Sequence, residues 1–135
     1  MIVLDSSFLV AFHNSSDVHH AAAKKAMRRL LEDEWGERLL PEYVFLEVVT
    51  VLAARRDAAT ALGTADLLLR ARELEFVPAS PHFLETYETF RTEAHRGLSF
   101  ADASIVALCR LRGAEYIASF DSDFRRVPRL TVIPG

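Results

Sequence analysis

A single cysteine, Cys109, stands in the 135 residues. An internal disulfide is therefore excluded, and a reducing cytoplasm is the expected setting. No apolar stretch approaches the roughly 20 residues needed to cross a bilayer, so no membrane association is expected. The first apolar run has no basic region ahead of it and does not read as a secretory signal. Internal repeats, low-complexity tracts and linkers are missing, and the length suits one domain, 1–135, with a real core. The five histidines show no metal-site spacing. Nor is there an excess of positive charge: 16 basic and 19 acidic residues give a net charge of -3, which does not announce a nucleic-acid binder. It does not exclude one, because acids gathered around a divalent cation would leave the remaining surface net positive.

What is present begins with M-I-V-L-D-S-S. Ile2, Val3 and Leu4 form an unbroken apolar run that fits a strand buried on both faces, as in a parallel sheet covered by helices. Asp5 is the only Asp, Glu, Lys or Arg among residues 1–16. Ser6 and Ser7 are N-cap types ahead of a short apolar helix over 8–12. Asp5 thus falls at the carboxyl end of a strand, the edge where open α/β sheets bind ligands. A turn-forming or capping role explains it as well.

The chain then alternates. Asp17 caps a helix expected over 19–34, with Lys24, Lys25, Arg28, Arg29 and Glu32 outside and Ala22, Ala26, Leu30 and Leu31 inside. A strand is expected over 38–40, a helix over 42–56 behind Pro41, a helix over 57–73 and a strand over 74–77. Ser80-Pro81 opens a further helix ending near Gly97. Ser99 and Asp102 fit a serine-x-x-acid capping pattern for the next one, which Gly113 closes. Strands over 115–119 and 130–133 complete the series. Strands alternating with helices give a parallel, doubly wound sheet of about five strands, with helices on both faces. Right-handed crossovers bring the carboxyl ends of its strands to one edge.

Four acidic positions converge at that edge. Asp5 follows the first strand, and Asp121 and Asp123 follow the fourth. Asp102 opens the helix between them, although capping alone accounts for it. Glu47 is the only charge in Y-V-F-L-E-V-V-T-V-L-A-A, residues 43–54, a stretch expected to be buried all round. A buried carboxylate there needs a cationic partner, a distant Arg or a metal. Oxygen-only clusters of this kind select Mg²⁺ or Mn²⁺.

The motifs M-I-V-L-D-S-S, the lone Glu47, L-S-F-A-D-A and I-A-S-F-D-S-D-F together resemble those of PIN-domain nucleases, most nearly the VapC-like toxins of toxin–antitoxin pairs. The resemblance spans essentially the whole chain. It implies a PIN-like three-layer fold and a Mg²⁺-dependent endoribonuclease, with Mn²⁺ able to substitute. It also implies a homodimer, often held inactive by a small antitoxin protein, and products carrying a 5′-phosphate and a 3′-hydroxyl. By residue, it implies metal binding by Asp5, Asp102 and Asp121, with Glu47 and Asp123 acting through water or orienting the nucleophile. Ser6 and Ser119 would hold carboxylates or waters. The helices over 42–56 and 57–73 carry more apolar side chains than one sheet face covers, and are expected to pair two copies. Three rivals remain at this point: an RNA-processing nuclease of the same fold without an antitoxin, a phosphotransfer module with Asp5 as acceptor, and a degenerate interaction module. Ser7, where a phosphatase-type D-x-D motif would need an acid, speaks against phosphotransfer.

Overall fold

In the computed structural model, which describes residues 1–135, strand β1 (Ile2–Leu4) is buried on both faces. It lies at the centre of a five-stranded parallel sheet. The flanking strands are β2 (Arg38–Pro41), β3 (Leu74–Val77), β4 (Tyr116–Ala118) and β5 (Thr131–Ile133), in the order β3-β2-β1-β4-β5. Val3 sits opposite Leu39 on one side and Ile117 on the other. All four pairings are parallel, so every strand ends at the same edge.

Six helices cover this sheet: α1 (Ser6–His13), α2 (His20–Leu31), α3 (Glu42–Arg55), α4 (Ala58–Arg70), α5 (Phe83–Glu93) and α6 (Phe100–Arg112). From β1 to β2 to β3 the chain moves outward in one direction, so α1 to α4 share a face. The crossover from β3 back to β4 reverses direction, and with right-handed connections α5 and α6 fall on the other face. The packing follows this division: α1 lies against α2 and α3, α3 against α4, and α5 against α6. A cluster of 31 buried apolar residues joins sheet and helices, Cys109 and Trp35 among them. No helix is long and apolar enough to cross a membrane.

Several boundaries and two burial expectations are corrected by the structure. Helix α1 starts at Ser6, with Asp5 in extended backbone at its N-cap, because the serine hydroxyls are engaged by acidic side chains instead of capping the helix. Helix α2 starts at His20 and ends at Leu31, earlier than expected. Asp17 forms a turn whose Oδ1 accepts the His19 amide at 2.8 Å. The inner face of α2 is Ala23, Ala26 and Leu30, while Leu31 is exposed. Helix α4 runs from Ala58 only to Arg70, with Asp57 capping the Thr60 amide. The helix expected from Ser80-Pro81 begins as a 3-10 turn before α5. Helix α3 is not buried all round. Val44, Val48 and Leu52, one turn apart each, face the sheet, and Leu46 is 63% exposed. Glu47 is exposed as well. An apolar composition cannot say which flanks of a helix its own chain covers, and here only one stripe is covered.

Candidate functional site

The switch point of the sheet lies between β1 and β4, the two strands from which the chain departs in opposite directions. Ligands of open α/β sheets bind in such a crevice. Asp5 ends β1 there and is 5% exposed. Its amide donates to the carbonyl of Ala118 at 3.0 Å, which ties it to the end of β4.

Hydroxyl groups organise the carboxylate of Asp5. Ser7 Oγ donates to Asp5 Oδ2 at 2.8 Å and Ser119 Oγ donates to the same oxygen at 2.7 Å. Each hydroxyl then accepts from the strand-four loop: the Phe120 amide reaches Ser7 Oγ at 2.9 Å, and the Asp121 amide reaches Ser119 Oγ at 2.9 Å. Asp121 Oδ1 in turn accepts the Asp123 amide at 2.9 Å and caps the 3-10 turn Ser122–Arg126. Ser6 Oγ donates to Glu47 Oε1 across the gap between α1 and α3. Ser7 is the participant that sequence reasoning missed. Its only signal was a third hydroxyl-bearing or acidic residue in the run Asp5-Ser6-Ser7, and its other partner, the Phe120 amide, lies far away in the chain.

Asp102 enters from the first turn of α6. Its amide donates to Ser99 Oγ and its Oδ2 accepts the Ser99 amide, both at 3.1 Å, so the capping box is formed. Capping and site placement hold together, because the first turn of α6 opens on the same sheet edge. Gly97, in the left-handed region at φ +85°, turns the chain from α5 into this helix beside Asp123. Asp102, Asp121 and Asp123 each present a carboxylate oxygen within 4.8 Å of the others. Asp5 and Glu47 stand outside this trio, Asp5 deeper and Glu47 at the rim.

The electrostatics follow from the placement. Burial pushes the Asp5 carboxyl above its ordinary value, the Ser119 and Ser7 hydroxyls and the Ser6 backbone pull it back, and the charge of Glu47 raises it. Asp102 is raised to about 6, first by burial and then by repulsion from Asp5 and Asp121, against the Ser99 bonds that lower it. None of the five acids forms an ion pair; the arginines that do pair are engaged elsewhere. Clustered carboxylates with no cationic side chain paired to them fit a divalent cation, and a donor set made only of carboxylate and hydroxyl oxygen fits a hard one. Beside the acids opens a cleft of about 370 Å³, lined by Ser6, Glu47, Asp121, Arg55, His19 and Phe120 among others.

Comparison with known proteins adds three findings. The family model of the PIN domain matches residues 2–130. A curated relative, the 23S rRNA-specific endonuclease VapC20 of Mycobacterium tuberculosis, is 29% identical over 135 residues, covering 99% of each chain. Among solved structures, M. tuberculosis VapC20, described as a Sarcin-Ricin loop cleaving toxin, superposes with a TM-score of 0.82 at 23% identity over 95% of both chains. VapBC2 from Rickettsia felis, bound to a DNA fragment from its promoter, gives 0.72 at 17% identity over 98% of this chain and 97% of that one. At these identities the superpositions speak for the fold.

Proposed function

The chain belongs to the PIN-domain family, and from that premise we propose that it is a Mg²⁺-dependent endoribonuclease, the toxin of a toxin–antitoxin pair. The observation that carries this reading is the acidic group itself: Asp102, Asp121 and Asp123 within 4.8 Å of one another, behind them the buried Asp5, and no positive side chain paired with any of them. The names of its relatives, a 23S rRNA-specific endonuclease and the toxin of a VapBC complex, support RNA as substrate and an antitoxin as partner.

In this reading Asp5, Asp102 and Asp121 are the main metal ligands, with Asp123 and Glu47 binding through water or orienting the attacking water. Bound Mg²⁺ would supply neutralisation of the phosphate and a water more readily deprotonated than bulk water. The protein's share is positional. Ser7 and Ser119 hold one oxygen of Asp5 and fix the loop carrying Asp121. Ser6 holds Glu47 on the opposite wall of the cleft. A phosphotransfer role suits Asp5 poorly, because a residue only 5% exposed, with two hydroxyls on one oxygen, offers little room for an incoming phosphoryl group.

Assembly belongs to the same proposal. Leu46 on α3 and Leu62, Leu67 and Leu69 on α4 are each more than half exposed. We assign this surface to a homodimer, with residues 1–135 acting as one unit in each copy. Light scattering at micromolar concentration should give twice the chain mass, and a monomer under those conditions would leave the surface for the antitoxin to cover.

The test of the activity uses protein dialysed against chelator and mixed with ribosomal RNA. Cleavage should appear on adding Mg²⁺ or Mn²⁺ and leave 5′-phosphate ends. Asp5→Asn should abolish it with the fold retained, since a neutral amide is a poor ligand for a hard cation. Cleavage that persists without metal, or in the Asp5→Asn protein, would overturn the proposal.

A further inference from the structure

We propose that the stacked rings of His19 and Phe120 are a platform for an unpaired nucleobase of the RNA, beside the bond that is cut; this rests on the ribonuclease reading above. Phe120 lies between Ser119, which bonds Asp5, and Asp121, and its own amide is held by Ser7 Oγ at 2.9 Å. Its ring is therefore fixed relative to the acids. It stacks with the fully buried Phe8, centroids 6.1 Å apart and planes at 21°. His19 stacks with Phe120 at 4.4 Å with planes at 6°. The three rings form a column running from the core to the cleft, and its outermost member, His19, is exposed.

The backbone that carries the outermost ring is held in place. Asp17 Oδ1 accepts the His19 amide at 2.8 Å, the Asp17 amide reaches the Asn14 carbonyl at 3.0 Å, and the His20 ring bonds the Ala11 carbonyl at 2.8 Å. An edge-on imidazole would shield Phe120 from water equally well. A parallel one leaves a flat aromatic face towards solvent, of the kind on which proteins stack splayed-out RNA bases. The far wall of the same cleft carries Arg55, which is exposed and makes no ion pair, so a positive charge is available for a neighbouring phosphate. Stacking tolerates any base, since every base has a π-face, so the platform selects unpaired nucleotides over duplex and leaves base identity to other contacts. The substrate class it fits is a looped or single-stranded RNA segment.

The experiment uses a hairpin RNA with the sequence of the 23S sarcin–ricin loop and 2-aminopurine in place of a loop adenine. Binding is followed in chelator, where cleavage does not occur, and cleavage is followed with Mg²⁺. Stacking on the platform should quench 2-aminopurine in the wild-type protein. His19→Ala should weaken binding roughly tenfold and remove the quench. It should raise KM by a similar factor and leave kcat within about twofold, as expected for an interaction made equally in ground and transition states. His19→Phe, which keeps a flat ring, should restore binding. The melting temperature of His19→Ala should fall by no more than a few degrees, the loss of one exposed stacking contact, and the protein should stay folded under the assay conditions. Equal affinity and equal quench in His19→Ala and wild type would overturn the platform while leaving the nuclease proposal standing. A wild-type protein that neither binds nor cuts this or any ribosomal RNA would overturn both.

Discussion

Ser119 donates its hydroxyl hydrogen to Asp5 across 2.7 Å, joining the end of β4 to the end of β1. The same oxygen accepts the amide of Asp121 at 2.9 Å, so one hydroxyl fixes two of the acids. Ser119→Ala should destabilise the protein by roughly 1–2 kcal/mol, because a buried carboxylate and an amide each lose a partner. Mg²⁺-dependent cleavage should fall about tenfold as the two acids lose their alignment, on the scale expected for groups that orient metal ligands. Ser119→Thr, which keeps the hydroxyl, should recover most of both. Denaturant unfolding and initial cleavage rates check this, and a Ser119→Ala protein equal to wild type in both would refute it.

The acid site also sets a pH dependence. The Asp102 carboxyl stands at about 6, above its ordinary 3.8. The folded, metal-free protein therefore holds a proton that the unfolded chain has released between these values. Stability from this group is full below about pH 4 and is lost as pH rises through 6. Because the residue is partly solvated, roughly 1 kcal/mol is a fair magnitude after screening. Melting temperatures of wild type and Asp102→Asn in chelator should diverge as pH rises from 4 to 7, the variant becoming the more stable. Parallel curves would show that Asp102 does not titrate in that window. Mg²⁺ at pH 7 should raise the melting temperature of wild type by mass action.

A buried ion-pair group supports the other end of the acid loop. Glu93, 7% exposed, faces Arg96 Nε at 2.6 Å and Arg110 Nη2 at 2.9 Å. Arg96 Nη1 also donates to the carbonyl of Arg126 at 2.6 Å, the last residue of the turn that bears Asp123. Glu93→Gln should cost about 2 kcal/mol, less than a fully buried pair because both arginines are partly solvated. Arg96→Ala should cost less stability. It should raise severalfold the Mg²⁺ concentration needed for half-maximal cleavage, because the Asp123 turn loses its anchor while the other acids keep theirs. An unchanged Mg²⁺ requirement would detach Arg96 from the site.

Cys109 should be inert. It is 1% exposed in α6, and burial pushes its thiol up to about 12. A thiol-specific reagent at pH 8 should react with unfolded protein in denaturant and not with native protein on the same time scale. Rapid reaction of the native form would mean that α6 opens readily.

Much of this architecture was legible in the sequence because its signals are local. The run Ile2–Leu4, the Ser99–Asp102 capping pattern and Gly113 each announce an element within a few residues, and parallel topology then carries Asp5 and Asp121 to one edge. What was illegible depends on distant partners. Glu47 was expected to be buried because its neighbours are apolar, yet α3 covers only the stripe Val44, Val48 and Leu52. The hydroxyl of Ser7 looked like a cap and instead joins Asp5 to the Phe120 amide. Neither His19 nor Phe120 stands out in the sequence: the histidines show no metal-site spacing, and Phe120 is only the middle residue of Ser119-Phe120-Asp121. Their stacking, at a separation of about a hundred residues, is set by how the α1–α2 loop docks beside β4, which no periodicity records.

The strand order β3-β2-β1-β4-β5 has a consequence for synthesis. A nascent chain translated as far as Gly97 already holds Asp5, Glu47 and both outer strands of one half of the sheet. It lacks β4, the hydroxyl of Ser119 and the acids at 102, 121 and 123. Since β1 needs β4 alongside it to order Asp5, the acid site cannot form before the residues of β4 and the loop after it have been made. The acids therefore come together late in the order of synthesis, after both strands on the other side of β1 are complete.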